Sequence, residues 1–93
     1  MTTAGLNVLL GGVHDRVSLA GFLNDLAAHP DLELISIRSG KPVKKLTPAE
    51  DHVMFEVPWC CTGRTLMSAC HWTNLTNMLM VRERRTEATN ESK

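Results

Sequence analysis

The stretch Thr65-Leu66-Met67-Ser68-Ala69-Cys70-His71-Trp72-Thr73-Asn74-Leu75-Thr76-Asn77-Met78-Leu79-Met80-Val81 decides between two folds. Its first part, capped at Thr62 and running through Leu66, Ala69 and Cys70, has the spacing of a helix. Threonine and asparagine are poor residues for a helix interior, so the run from Thr73 to Asn77 is expected to end it. Met78 to Val81 then reads as a last strand. The competing reading is one long helix from Thr65 to about Arg84, with Trp72, Leu75 and Leu79 on its face. The break is the favoured reading.

Upstream of this stretch the punctuation is clearer. Val53, Phe55 and Val57 alternate with His52, Met54 and Glu56 up to Pro58, the period of a strand with one buried face. Thr47 to Asp51 is a break and Ser39-Gly40-Lys41-Pro42 a turn, with Val43 to Leu46 belonging to the loop or to a hairpin. Leu32 to Arg38 reads as another strand. Before it, Asp15 caps a helix whose Leu19, Phe22, Leu23 and Leu26 share one face and which His29-Pro30 stops. Gly21 either weakens that helix by about 1 kcal/mol relative to alanine or admits a close neighbour. Leu6-Asn7-Val8-Leu9-Leu10, ended by Gly11-Gly12, reads as a short buried strand.

The resulting order, β-α-β-β-α-β, predicts an α+β domain of the ferredoxin-like split βαβ type, with β-α-β-β and one long C-terminal helix as the alternative. Residues 1–85 form one small domain in this reading, and 86–93 a polar, flexible tail. Such an arrangement hosts many activities and transfers none.

Composition narrows the classes. In 93 residues, ten basic and ten acidic side chains cancel, which argues against binding to nucleic acid or membrane through bulk charge. No apolar run approaches the length of a membrane helix, and Met1 to Val13 lacks the features of a secretory leader. Three cysteines, an odd number, suit a reducing compartment, so the chain is expected in the cytoplasm.

Candidate sites follow from the expected topology. The loops Gly11 to Asp15 and Pro58 to Gly63 would leave the same end of the sheet, bringing His14 near Cys60 and Cys61. A thiolate at a helix N-terminus is nucleophilic, so Cys61 with His14 as base is an alternative catalytic pair. Cysteines more often simply pack, and that reading outweighs it. Cys60, Cys61, Cys70 and His71 do not have the spacing of a zinc site, and Gly11-Gly12 lacks a phosphate-loop pattern; neither metal nor cofactor is expected.

Charge and apolar patterning point elsewhere. Arg38, Lys41, Lys44 and Lys45 form one basic cluster and Arg82, Arg84 and Arg85 another, and the expected topology puts both at one end. They would grip phosphate or an acidic protein surface, or else protect strand edges. The open sheet face would carry Met54, with Leu9, Leu34 and Met78 or Met80, an adaptable contact surface. With only four aromatic side chains and no tyrosine, an RNA-stacking platform is not expected.

The leading functional expectation is therefore a non-enzymatic adaptor or inhibitor that docks on a protein partner, a style common among viral and mobile-element accessory proteins. A nucleic-acid-binding or nucleic-acid-competing regulator using the basic patch is the second reading, and a small cysteine-dependent enzyme the third. A homodimer is compatible with each; a membrane partner is not expected.

Overall fold

In the computed structural model, which describes residues 2–58 and 63–84, Thr3–Gly11 is a helix (α1) and not a strand. The Thr2 side chain accepts from the Gly5 N–H at 3.2 Å and caps it. Leu6 and Leu10 are fully buried, Leu9 is partly so, and Val13 continues the face. That is the i, i+3, i+4, i+7 spacing of an amphipathic helix, while Val8 points to solvent. A short apolar run carries either period, and here tertiary burial selects the helical one.

The second helix, Arg16–Ala27 (α2), forms where the cap predicts. The Asp15 carboxylate accepts from the Ser18 N–H at 2.8 Å, and the Ser18 hydroxyl accepts from the Asp15 N–H at 3.1 Å, a reciprocal capping box. These bonds to Ser18 hold the Asp15 carboxyl below its ordinary value. Leu19 and Phe22 enter the core, with Leu23 and Leu26 against its rim. A Cβ added at Gly21 would meet nothing within 4 Å. The close-neighbour reading of that glycine therefore fails, and Gly21→Ala is expected to stabilise the fold by about 0.5–1 kcal/mol, measured by urea denaturation.

Five strands follow: Leu32–Ser36 (β1), Lys44–Pro48 (β2), His52–Pro58 (β3), Thr65–His71 (β4) and Leu79–Glu83 (β5), the last preceded by a 3-10 turn at Trp72–Asn74 and a short helix, Leu75–Met78 (α3). The segment expected as a second long helix is thus β4. It pairs antiparallel with β3 along its whole length, from Pro58 opposite Thr65 to His52 opposite His71. Leu66 and Cys70 fit a helical stripe, but they also alternate with Thr65, Met67, Ala69 and His71, and pairing to β3 decides the period. The continuous C-terminal helix is overturned by the same observation. The cap at Thr62 lies outside the described residues. The α+β class holds, and the observed order is α-α-β-β-β-β-α-β.

All pairings among the described residues are antiparallel, β1 with β5 and β2-β3-β4 in a second sheet. The chain between them links the two: Ser36 N–H donates to Lys41 O at 2.9 Å, Val43 N–H to Leu34 O at 3.1 Å, and Ile35 bridges Pro42. A register shift lies between Lys44 and Thr47, where Lys45 has a left-handed φ of 53°. Leu32 and Leu34 of β1, Val53, Phe55 and Val57 of β3, Cys70 of β4 and Leu79 and Val81 of β5 share one core with α1 and α2. Both helices therefore cover one face of the strands.

The outer edge of β5 is closed by α1. The Asn7 carboxamide donates to Val81 O at 3.1 Å and accepts from Val81 N–H at 2.9 Å. One side chain thereby replaces the peptide group of a missing neighbour strand.

Candidate functional site

Side chains on the outer face of the three-stranded sheet, opposite the helices, follow from register. Met54 on β3 lies between Thr47 of β2 and Ala69 of β4; Glu56 lies between Lys44 and Met67; His52 lies opposite His71. Met54 is half-buried, Met67 is 57% exposed and Ala69 is exposed. The result is an apolar centre of two methionines and an alanine with a polar rim. In that rim, Lys45 pairs with Glu56 at 3.7 Å, and the His52 Nδ1–H donates to the Asp51 carboxylate at 2.7 Å. The bond from His52 holds the Asp51 carboxyl below its ordinary value.

The other residues expected on this face are elsewhere. Leu34 is buried in the core, and Leu9 and Met78 pack against it. Met80 is 38% exposed but lies on β5 opposite Ile35, in the other sheet.

The two basic clusters meet only in part: Lys41 comes to Arg82 and Arg84. Arg82 and Arg84 flank the start of β1, whereas Arg38 follows its end. Lys41 folds back along β1 and, with Gly40, Pro42 and Glu33, borders a surface cavity of about 580 Å³ shared with Arg82 and Arg84. Both arginines are engaged in the fold. The Arg82 Nε–H donates to Glu33 at 2.9 Å, and Arg84 contacts the other Glu33 oxygen at 3.5 Å while donating to the carbonyls of Pro30 at 3.0 Å and Leu32 at 3.3 Å. Glu33, only 7% exposed, is the hub of this arrangement. Arg38, Lys41, Lys44 and Lys45 are exposed. Arg85 lies outside the described residues.

The premise behind the cysteine–histidine pair also changes. His14 sits between two helices, not after a strand; its ring is 76% exposed, and its Nδ1 lies 2.9 Å from Gly12 O. Trp59, Cys60 and Cys61 lie outside the described residues. Cys70 and His71, adjacent in sequence, alternate to opposite faces of β4, and burial pushes the Cys70 thiol up. Among the described residues no group of three or more histidine, cysteine or acidic side chains is placed to hold a metal, and no helix is long and apolar enough to cross a membrane.

Met67 and Ala69 carry no site signal in the sequence, and His71 only that of a candidate metal ligand. They join Met54 only once β4 is a strand. The chain matches no family model, no curated protein and no solved structure.

Proposed function

We propose that this chain is a non-enzymatic docking module, of adaptor or inhibitor type, acting in the cytoplasm on a protein partner. The observation that carries the reading is the outer face of β2-β3-β4, where Met54 lies together with the exposed Met67 and Ala69, outside the hydrophobic core. An apolar centre within a polar rim is the usual layout of a protein interface, and unbranched methionine side chains adapt to a partner's shape. The exposed Lys44 and Lys45 beside it favour a partner with acidic groups at the corresponding rim.

A charge placed in the centre of that face would be desolvated without a counter-ion on docking. Met54→Glu is therefore expected to weaken partner binding by about 2 kcal/mol, roughly thirtyfold. The test is quantitative capture from the native host with wild-type and Met54→Glu protein, each shown to be folded by circular dichroism. A partner held by the wild type and lost by the variant supports docking on this face. Equal capture by both removes the face from consideration. A captured ligand that proves to be nucleic acid, released steeply with salt, would favour the regulator reading instead.

A further inference from the structure

β4 is an edge strand: it pairs with β3 on one side and with no other described strand. The preceding hairpin fixes which of its peptide groups face outwards. Ala49 N–H donates to His52 O at 2.8 Å, so His52 turns its peptide groups towards β2. Successive residues of a strand alternate, so Met54 and Glu56 also face β2, while Val53, Phe55 and Val57 face β4. Pro48, which has no N–H, stands opposite Val53 at a position that needs none. The β4 partners of those three residues, Cys70, Ser68 and Leu66, face back towards β3. Thr65, Met67, Ala69 and His71 are left with N–H and C=O directed out of the edge.

Exposed edges are normally blunted by lysine, proline, a bulge or a covering group. The β5 edge has its cover in Asn7. From Thr65 to His71, β4 contains neither a charged residue nor a proline and keeps unbroken register with β3. It also leaves Leu66 45% and Met67 57% exposed.

We propose that two copies of this chain pair antiparallel through β4, about a two-fold axis at Ser68, in one continuous sheet. In that register Thr65 stands opposite His71 of the second copy and Met67 opposite its Ala69, and both pairs use the outward-facing peptide groups. Leu66 falls beside Cys70 of the copy on the inner face. Each exposed large side chain meets a small one, and no charge opposes another. Sliding the register by two residues sets Met67 against Met67 or Ala69 against Ala69 and shortens the ladder. The strand is thus complementary to itself in shape and hydrogen bonding and free of charge repulsion, which points to a second copy as its occupant. This inference rests on the outward peptide groups of β4, although the side chains of Met67 and Ala69 also belong to the docking face.

Sedimentation equilibrium of the purified chain tests it. The wild type is expected to show a reversible monomer–dimer equilibrium. The M67K/A69K variant sets lysine against lysine twice across the axis and is expected to weaken the dimer about tenfold or more. The M67K/A69E variant sets lysine against glutamate at the same two contacts and is expected to restore it. Both positions are exposed, and circular dichroism checks that each variant folds. A wild type that stays monomeric at every concentration overturns the proposal, as does a dimer indifferent to M67K/A69K or one that M67K/A69E fails to rescue. Mass is read on the purified chain without a partner, so this outcome is separate from that of the Met54→Glu capture.

Discussion

Phe22→Ala is expected to lose about 3–5 kcal/mol of stability, enough to unfold a domain of marginal stability. Phe22 is 3% exposed and stands between Leu19 and the rim residues Leu23 and Leu26 on the buried face of α2. Its ring belongs to the same core as Leu6 and Leu10 of α1 and as Val53, Phe55 and Val57 of β3. A small domain has few core side chains to spare, and truncation leaves a cavity that the surrounding core closes only in part. Urea denaturation followed by far-ultraviolet circular dichroism measures the change. A Phe22→Ala protein with the wild-type midpoint would show that α2 does not pack through this face.

The second large effect concerns Glu33. Its carboxylate is 7% exposed and holds Arg82 at 2.9 Å and Arg84 at 3.5 Å. Arg82→Met removes the shorter contact and leaves a desolvated charge with only the longer one. Breaking a fully buried pair from one side costs about 3–5 kcal/mol. The Arg82 side chain is 25% exposed, so water partly refills the gap and about 2–3 kcal/mol is expected. Adding Glu33→Leu removes the stranded charge, and the double variant is expected to recover most of the loss. Denaturation midpoints of the single and double variants test this. A single variant as stable as wild type would mean that Glu33 is hydrated without Arg82.

These two predictions differ in how far the sequence anticipates them. The α2 helix is legible because three local signals agree: a cap at Asp15, an apolar face from Leu19 to Leu26, and the His29-Pro30 stop. β3 is legible because Val53, Phe55 and Val57 alternate strictly. At Leu6 to Leu10 and at Leu66 to Cys70 the same apolar residues fit both periods, and only the final packing distinguishes them. α1 is chosen by the core it closes with α2 and β5, and β4 by its seven-residue pairing with β3. The error at β4 then spreads to the site. Met54 stands out from the alternation of β3, but Met67 and Ala69 become its neighbours only across a strand that the spacing conceals. The basic character of Arg82 and Arg84 is visible in the sequence, whereas their engagement by Glu33 requires the β1–β5 register that places residues 33 and 82 opposite each other.

Docking through the outer sheet face gives two substitutions contrasting effects on partner binding. Cys61→Ser and Met54→Glu, each shown to be folded by circular dichroism, are compared with wild type in one quantitative binding assay against the partner captured from the native host. Docking through the outer sheet face predicts near wild-type binding for Cys61→Ser and a loss of roughly thirtyfold for Met54→Glu. Full binding by Met54→Glu would contradict that account.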